Sequence, residues 1–238
     1  LPKISIVIPA YNEEKRLPRT LDTIKNYLQE RKLDAEVIVV DDGSTDATAA
    51  VAAMTTGINI TVIKNPGNRG KGYSVSHGFS KSEGNVIFFT DADLSTPISF
   101  IEPFMKQHES GYDVVAASRA VPGAAKKVRQ PFYRDFMGRI FNLFVRAFTG
   151  LKLRDTQCGF KSFRRECALE IIKRRTIDDF GFDVEFLYIA NMLKYRICEY
   201  PVEWYDVPGT KVNAVRDSAR MFLDLLDINL KRLKGRYN

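Results

Sequence analysis

The sequence predicts an α/β fold: a mostly parallel sheet with helices on both faces, followed by a C-terminal helical elaboration. Three observations predict it. In the first half, short runs that are apolar throughout alternate with segments of helical period. Polar clusters follow directly behind several of those runs. The second half breaks the alternation and ends in long helical patterns.

Taken in order, Ile4 to Ile8 is a β-rich apolar run closed by Pro9, and Leu17, Leu21, Ile24 and Leu28 recur at helical spacing. Val37 to Val40 is a second apolar run, ending at Asp41-Asp42-Gly43. Asp46 suits the N-cap of the Ala-rich stretch that follows. Ile58 to Ile63, Val86 to Phe89 and Val114 to Ala117 are further strands, with helices between them. Strands apolar on both faces need cover on both faces, which implies a parallel sheet. Beyond them, Gly123 to Arg129 reads as a mobile basic loop. Phe132 to Phe148 reads as an aromatic-rich helix, and Asp183 to Leu193 and Val215 to Leu233 as two more. In that first helix Phe132, Phe136, Ile140, Phe144 and Phe148 recur every four residues, which suits a core helix or an interfacial one.

Composition narrows the function. Hydrophobic residues at 45% and charged residues at 27% support a packed core and exclude a disordered chain. The excess of 36 Lys and Arg over 29 Asp and Glu, a net +7, favours an anionic partner: a phosphate-bearing substrate, a membrane surface or nucleic acid. Nucleic acid is disfavoured, because no recognised motif is present and the basic residues do not interleave with a stacking face. Cys158, Cys167 and Cys198 are odd in number and scattered. They therefore suggest neither a disulfide framework nor a zinc site, and they fit a reducing compartment. No run approaches the roughly 18 apolar residues of a membrane span. The chain starts at Leu1 rather than Met, which leaves room for an anchor upstream.

In a parallel sheet, ligands bind beyond the C-terminal ends of the strands. Tyr11 to Glu13, Asp41 to Gly43 and Asp91 to Asp93 each sit just behind a strand, so three polar clusters converge on one edge. Asp91-Ala92-Asp93 is the sharpest of them. In an extended segment its two carboxylates point the same way and suit a hard divalent cation shared with substrate phosphates. A solvated turn is the plain alternative. At Asp41-Asp42-Gly43-Ser44 one acid can accept from a base or ribose while the other braces the turn. Asn68-Arg69-Gly70-Lys71-Gly72 offers backbone amides and two cations to a phosphate, though Asn65 stands where a Walker motif needs glycine. Arg119, Arg129, Arg134 and Lys211 are candidate phosphate ligands in the second half. His77 and His108 lie on helices without catalytic partners in the sequence and read as structural.

These residues resemble those of the family 2 inverting glycosyltransferases, which have the GT-A fold. The similarity is greatest to the dolichyl-phosphate β-glucosyltransferase and polyprenyl-phosphate branch. The segments that carry it are IPAYNEEKRLP from Ile8, EVIVVDDGS from Glu36, NRGKG from Asn68, DADLSTP from Asp91 and ASR from Ala117. RDTQCGFKSFRRE from Arg154 and FDVEFLYIA from Phe182 are the more specific to that branch. Leu94-Ser95-Thr96 departs from the eukaryotic pattern and widens the choice of sugar.

The resemblance implies a single catalytic domain over 1–238, with 1–120 binding the nucleotide sugar and 121–238 the acceptor through amphipathic helices. Pro9, Ala10, Tyr11, Glu13, Asp41, Asp42, Lys71, Ala92 and Lys211 would line the nucleotide. Asp42 would meet the base, and Lys211 would sit on a loop that closes over the donor. Asp91 and Asp93 would bind Mg2+ or Mn2+ and act in catalysis with Arg119. Arg119, Arg129 and Arg134 would meet the acceptor phosphate. The implied donor is UDP-glucose, ahead of GDP-mannose and UDP-N-acetylglucosamine. The implied acceptor is polyprenyl or dolichyl phosphate, on the cytoplasmic face of an anionic membrane surface. Two alternatives stay open: a saccharide hydroxyl as acceptor, with Asp155, Asp183 or Glu185 as base, and a nucleotide-binding module without turnover.

Overall fold

The computed structural model describes residues 3–127, 132–206 and 214–237; the side chains of 126, 132–137, 139 and 214–219 lie outside that description. The first half alternates β1 (Ile4–Ala10), α1 (Leu17–Arg31), β2 (Ala35–Asp41), α2 (Thr48–Ala53), β3 (Asn59–Lys64), α3 (Lys71–Lys81), β4 (Val86–Thr90), α4 (Ile101–Glu109) and β5 (Val114–Ser118). β1, β2, β3 and β4 pair in parallel. Their pleat divides the core: Ile4, Ile6 and Ile8 face Leu17, Leu21 and Ile24 of α1, while Val7 faces Val75 and Phe79 of α3. Each such side chain contributes about 1.5–3 kcal/mol of burial, so strands apolar on both faces are stable only between two helical layers.

The second half is more regular than its sequence suggests. It carries β6 (Ala125–Lys126), α5 (Phe132–Thr149), β7 (Phe160–Arg164), α6 (Arg165–Arg174), α7 (Phe182–Met192), β8 (Ile197–Pro201), β9 (Glu203–Trp204) and α8 (Ala214–Leu233). Among the described residues the main sheet runs β3-β2-β1-β4-β7-β5-β8. β7 is antiparallel to both β4 and β5, and β8 is parallel to β5. The two halves of the chain therefore share one sheet, and the loop before β7 arrives at the edge where β4 ends. The expected basic loop over Gly123 to Arg129 is in part a strand, because β6 pairs with β9. Arg129 lies outside the described residues.

Among the described side chains of the four-residue stripe on α5, Phe148 alone reaches the core face. Val145 is fully buried and Phe141 and Phe148 are half-buried, whereas Ile140 and Phe144 are exposed. Phe144 stacks on Phe148 and meets Phe222 of α8 edge-on. The core face thus follows the i, i+4, i+7 spacing of Phe141, Val145 and Phe148. Ile140, Leu143, Phe144 and Ala147 form a second, exposed apolar face. Among the described residues no helix is long and apolar enough to cross a membrane.

Candidate active site

The sheet order reverses at β1, which lies between β2 and β4. The crevice beyond the C-terminal ends of β1 and β4 is therefore the expected ligand position. Pro9 and Ala10 end β1, Asp41 ends β2 and Asp91 follows β4. Arg119 follows β5 on the same edge, since β4 and β5 both run against β7.

Asp91 to Leu94 is a tight turn and not the extended segment its spacing suggested. The Leu94 N–H donates to Asp91 O at 3.2 Å, and Leu94 adopts φ +48°. A leucine in the left-handed region is strained, and such strain gathers at functional sites. The turn still brings both carboxylates to one place. Asp93 Oδ1 accepts from Ser95 N–H at 2.9 Å, and Asp93 Oδ2 lies 3.9 Å from Arg16. Burial and the neighbouring Asp91 charge push the Asp93 pKa above its ordinary value. Asp91 Oδ1 pairs with Lys71 Nζ at 2.6 Å. Burial works against the Lys71 charge, but Asp91 and then Asp183 outweigh it and hold its pKa above the usual lysine value. Ala92 is buried in the core, and its carbonyl accepts from Thr20 Oγ1 at 2.6 Å. Ala10 is buried as well. The side chains of both alanines therefore face the core.

Loops join the first three clusters. The Asn12 N–H donates to Ser44 Oγ and the Glu13 N–H to Thr48 Oγ1, at 2.9 and 2.7 Å. Thr45 N–H returns to Asn12 Oδ1 at 2.8 Å. Tyr11 is exposed, and Glu13 pairs with Arg16 at 3.4 Å. Asp41 Oδ1 accepts from Ser44 N–H at 3.0 Å, and the Asp46 carboxylate from Thr48 N–H at 2.9 Å. Asp42 accepts from the backbone N–H groups of Arg69 and Gly70, both at 2.9 Å, and from Asn65 Nδ2 at 2.8 Å. Both acids of the Asp-Asp-Gly turn therefore brace loops. Two of the NRGKG amides expected to meet a phosphate, those of Arg69 and Gly70, are engaged by Asp42, and Lys71 of the same segment reaches Asp91. His77 extends the same network through Nδ1 to Asn65 Oδ1 at 2.8 Å.

The RDTQCGFK segment organises the other side of the crevice, through roles that sequence reasoning did not assign to its residues. Asp155, 2% exposed, receives Arg119 in bidentate fashion at 2.7 and 2.9 Å and also accepts the Arg119 backbone N–H at 3.0 Å. Burial disfavours both charges, yet each stabilises the other. The Arg119 pKa is raised, and that of Asp155 falls to about 2. The Arg119 guanidinium lies 5.4 Å from the Trp204 ring. Gly159 O accepts from Asp91 N–H at 3.1 Å, and a Cβ at Gly159 would stand 2.0 Å from Asp91 Oδ2. Only glycine lets the carboxylate lie there. Lys161 and Asp183 form a buried pair at 2.5 Å. Glu185, 0% exposed, accepts from Thr176 and Ile177 N–H and from the Tyr237 hydroxyl, each at 2.9 Å.

The three acids considered as general bases are thus each held by internal partners. Arg134 falls on α5 with its side chain outside the described residues, and Lys211 lies outside them altogether.

Known proteins resemble the chain in sequence and in fold. Residues 5–171 match the model of Glycosyl transferase family 2. The chain is 36% identical to dolichyl-phosphate beta-glucosyltransferase of Mus musculus, over 98% of this chain and 76% of that one. It is 34% identical to the protein of the same name in Dictyostelium discoideum, over 98% and 75%. Among solved structures it resembles glucosyl-3-phosphoglycerate synthase from Mycobacterium tuberculosis in complex with Mn2+, UDP-glucose and phosphoglyceric acid. That match has a TM-score of 0.70 at 21% identity, covers 96% of this chain and 80% of the other, and shows a shared fold.

Proposed function

The chain belongs to glycosyl transferase family 2, has the GT-A fold and is a glycosyltransferase; from that premise we propose that it transfers glucose, with inversion, from UDP-glucose to a polyprenyl or dolichyl phosphate. The observation that carries the acceptor class is the state of the candidate bases. Asp155 holds Arg119, Asp183 holds Lys161, and Glu185 holds main chain and Tyr237. A sugar hydroxyl needs a free base. A phosphate monoester, with a second pKa of about 6, is nucleophilic at neutral pH without one. The names of the curated relatives point the same way.

In this reading 1–120 holds the donor and 121–238 the acceptor. Asp91 and Asp93 supply hard oxygens at a half-exposed strand end. They are two carboxylates, and among the described residues no group of three or more His, Cys, Asp or Glu side chains is placed to hold the ion by itself. That donor set fits Mg2+ or Mn2+ sharing its coordination with substrate phosphates. Bound there, the cation would neutralise charge on the departing diphosphate. Lys71 contributes a second positive charge beside the diphosphate. Arg119, fixed by Asp155, meets the acceptor phosphate together with Arg129 and Arg134. One phosphate oxygen attacks the anomeric carbon in line as its bond to the diphosphate breaks, releasing UDP.

The acceptor reading brings a membrane surface with it. The exposed α5 face of Ile140, Leu143, Phe144 and Ala147 lies near exposed Arg146 and Arg232, and Arg232 donates to Phe148 O at 3.0 Å. Apolar side chains beside cations fit an anionic bilayer at the cytoplasmic face, each cation contributing about 1 kcal/mol.

The test is a donor screen with polyprenyl phosphate, read by release of nucleoside diphosphate, beside flotation on anionic liposomes at low and high salt. UDP release from UDP-glucose, dependent on the lipid phosphate, is expected. Preference for GDP-mannose, or faster transfer to a soluble saccharide, would overturn the assignment.

A further inference from the structure

Lys161 is a buried charge to which the transfer reaction gives no role. It sits in the sheet on β7, 1% exposed, and donates to Cys158 O at 2.7 Å and Asp183 Oδ1 at 2.5 Å. Two ammonium groups flank the Phe89 ring, Lys71 Nζ at 5.3 Å from its centroid and Lys161 Nζ at 5.9 Å. Lys71 Nζ also lies 6.0 Å from the ring of Phe182, the neighbour of Asp183 in the chain. The charges form an alternating series: Asp91, Lys71, Asp183, Lys161. After Asp91, Asp183 is the acid that does most to keep Lys71 charged. Lys161 uses Oδ1 of Asp183, and Oδ2 accepts no hydrogen bond from the described residues.

A buried or half-buried charge stripped of its counter-ion is strongly destabilising. If Asp91 and Asp93 take a divalent cation, that cation competes with Lys71 for the Asp91 carboxylate, and a Lys71 released from it needs another acid. We propose that Asp183, held in place by Lys161, is that acid: Lys71 pairs with Asp91 in the metal-free protein and moves to Asp183 when a divalent cation occupies Asp91. Asp183 and Lys161 are then positioning residues that ease metal binding. The inference rests on the metal reading above.

Binding of Mn2+ alone, followed by the electron paramagnetic resonance signal of the free ion, reads this exchange without turnover. Lys71→Met removes the competitor and tightens Mn2+ binding. Asp183→Asn removes the second acid and weakens it by about tenfold, the size of an ordinary coupling between neighbours. In the Lys71→Met background, Asp183→Asn has no effect. If Asp183→Asn does not fold, Asp183→Asn/Lys161→Met leaves no stranded charge and takes its place in the cycle. Equal weakening in both backgrounds marks a plain field effect and overturns the exchange, as does no weakening in either. Wild-type protein that binds no Mn2+ sinks the metal reading and the exchange together. Wild-type protein whose Mn2+ binding is lost in Asp91→Ala but untouched by Asp183→Asn sinks the exchange alone.

Discussion

The two sides of the crevice use carboxylates in opposite ways. On the β1–β2–β4 side three acids sit in loops and accept from main-chain N–H groups, Asp41 from Ser44, Asp42 from Arg69 and Gly70, Asp93 from Ser95, while Asp91 meets Lys71. On the β5–β7–α7 side Asp155 and Asp183 are buried against cations. An acid that accepts from main chain fixes the shape of a loop. An acid buried against a guanidinium fixes the position of a charge, and breaking one partner strands the other. In the proposed reading the donor side is thus built largely from shaped loops and the acceptor side from positioned charges. Substitutions on the two sides should fail differently, in activity on the first and in folding on the second.

The largest effect expected is on the donor side. Asp93→Ala, and more weakly Asp91→Ala, should lower turnover by about a thousandfold, as removal of a principal electrostatic group at a reacting centre does. The melting temperature of Asp93→Ala should hold, because that carboxylate is part-exposed in a turn; Asp91→Ala also removes the partner of Lys71 and should lower it somewhat. Excess chelator should reproduce the loss. Full turnover in chelator would break the metal half of the comparison.

On the acceptor side Asp155→Ala should act first on folding. It leaves the Arg119 guanidinium half-buried without its partner, a change of about 3–5 kcal/mol for a buried pair, discounted by the 21% exposure of the Arg119 side chain. Urea unfolding checks it. Arg119→Lys keeps the charge but loses the fork, so it should be milder in stability and still poor in transfer. A variant without Asp155 that is as stable as the wild type would erase the distinction between the two sides.

How much of this was legible in the sequence follows the same divide. The strands of the first half were readable because Val37 to Val40 or Val86 to Phe89 are apolar on both faces, and polar clusters mark where they end. β7 was not readable, because Phe160-Lys161-Ser162-Phe163 places a lysine and a serine inside the sheet. Those residues are tolerated there only because Asp183 and His108, distant in sequence, receive them. β8 is half-buried along its length and shows no strong period. The DxD pair was found, but its conformation was misjudged, since Leu94 adopts a φ that no β-propensity suggests. Asp155, Asp183 and Glu185 looked like possible bases because a paired acid and a free one are the same letter. The specificity of RDTQCGFK to one branch was the available signal that the segment does more than connect elements.

His108 sharpens the comparison by titration. It is 2% exposed. Its Nδ1 lies 2.9 Å from Tyr112 O, which can only accept, so Nδ1 carries the proton and Ser162 donates to Nε2 at 2.7 Å. Burial lowers its pKa to about 4; the nearby Arg164 charge also lowers it, and Asp113 and the Tyr112 carbonyl resist. A folded pKa below the unfolded value of about 6.5 means that the stability is complete above pH 6.5 and is lost as pH falls toward 4. The loss should reach about 3 kcal/mol. His108→Gln should flatten that part of the urea-midpoint curve, while the Asp155 contribution begins to fall only below about pH 4. A curve unchanged between pH 6.5 and 4.5 would show that His108 titrates normally.

The smallest effect expected is at Tyr237, which ties the chain beyond α8 to α7. Its ring meets Tyr188 at 5.5 Å and is 1% exposed, and its hydroxyl donates to Glu185 Oε1 at 2.9 Å. Burial and the Glu185 charge push the hydroxyl pKa far up, so it remains a donor at every working pH. Tyr237→Phe keeps the ring packing and removes one donor to a buried carboxylate. Hydrogen bonds to charged groups contribute about 1.5–3 kcal/mol, and Glu185 retains Thr176 and Ile177, so the loss should lie near the lower bound. Glu185→Gln should cost more, because its amide turns a donor toward N–H groups that need an acceptor. The activity of Tyr237→Phe per folded molecule should match the wild type. A drop in turnover without a drop in stability would move Glu185 from the fold into the reaction, and the acceptor side would then hold a working acid among its braces.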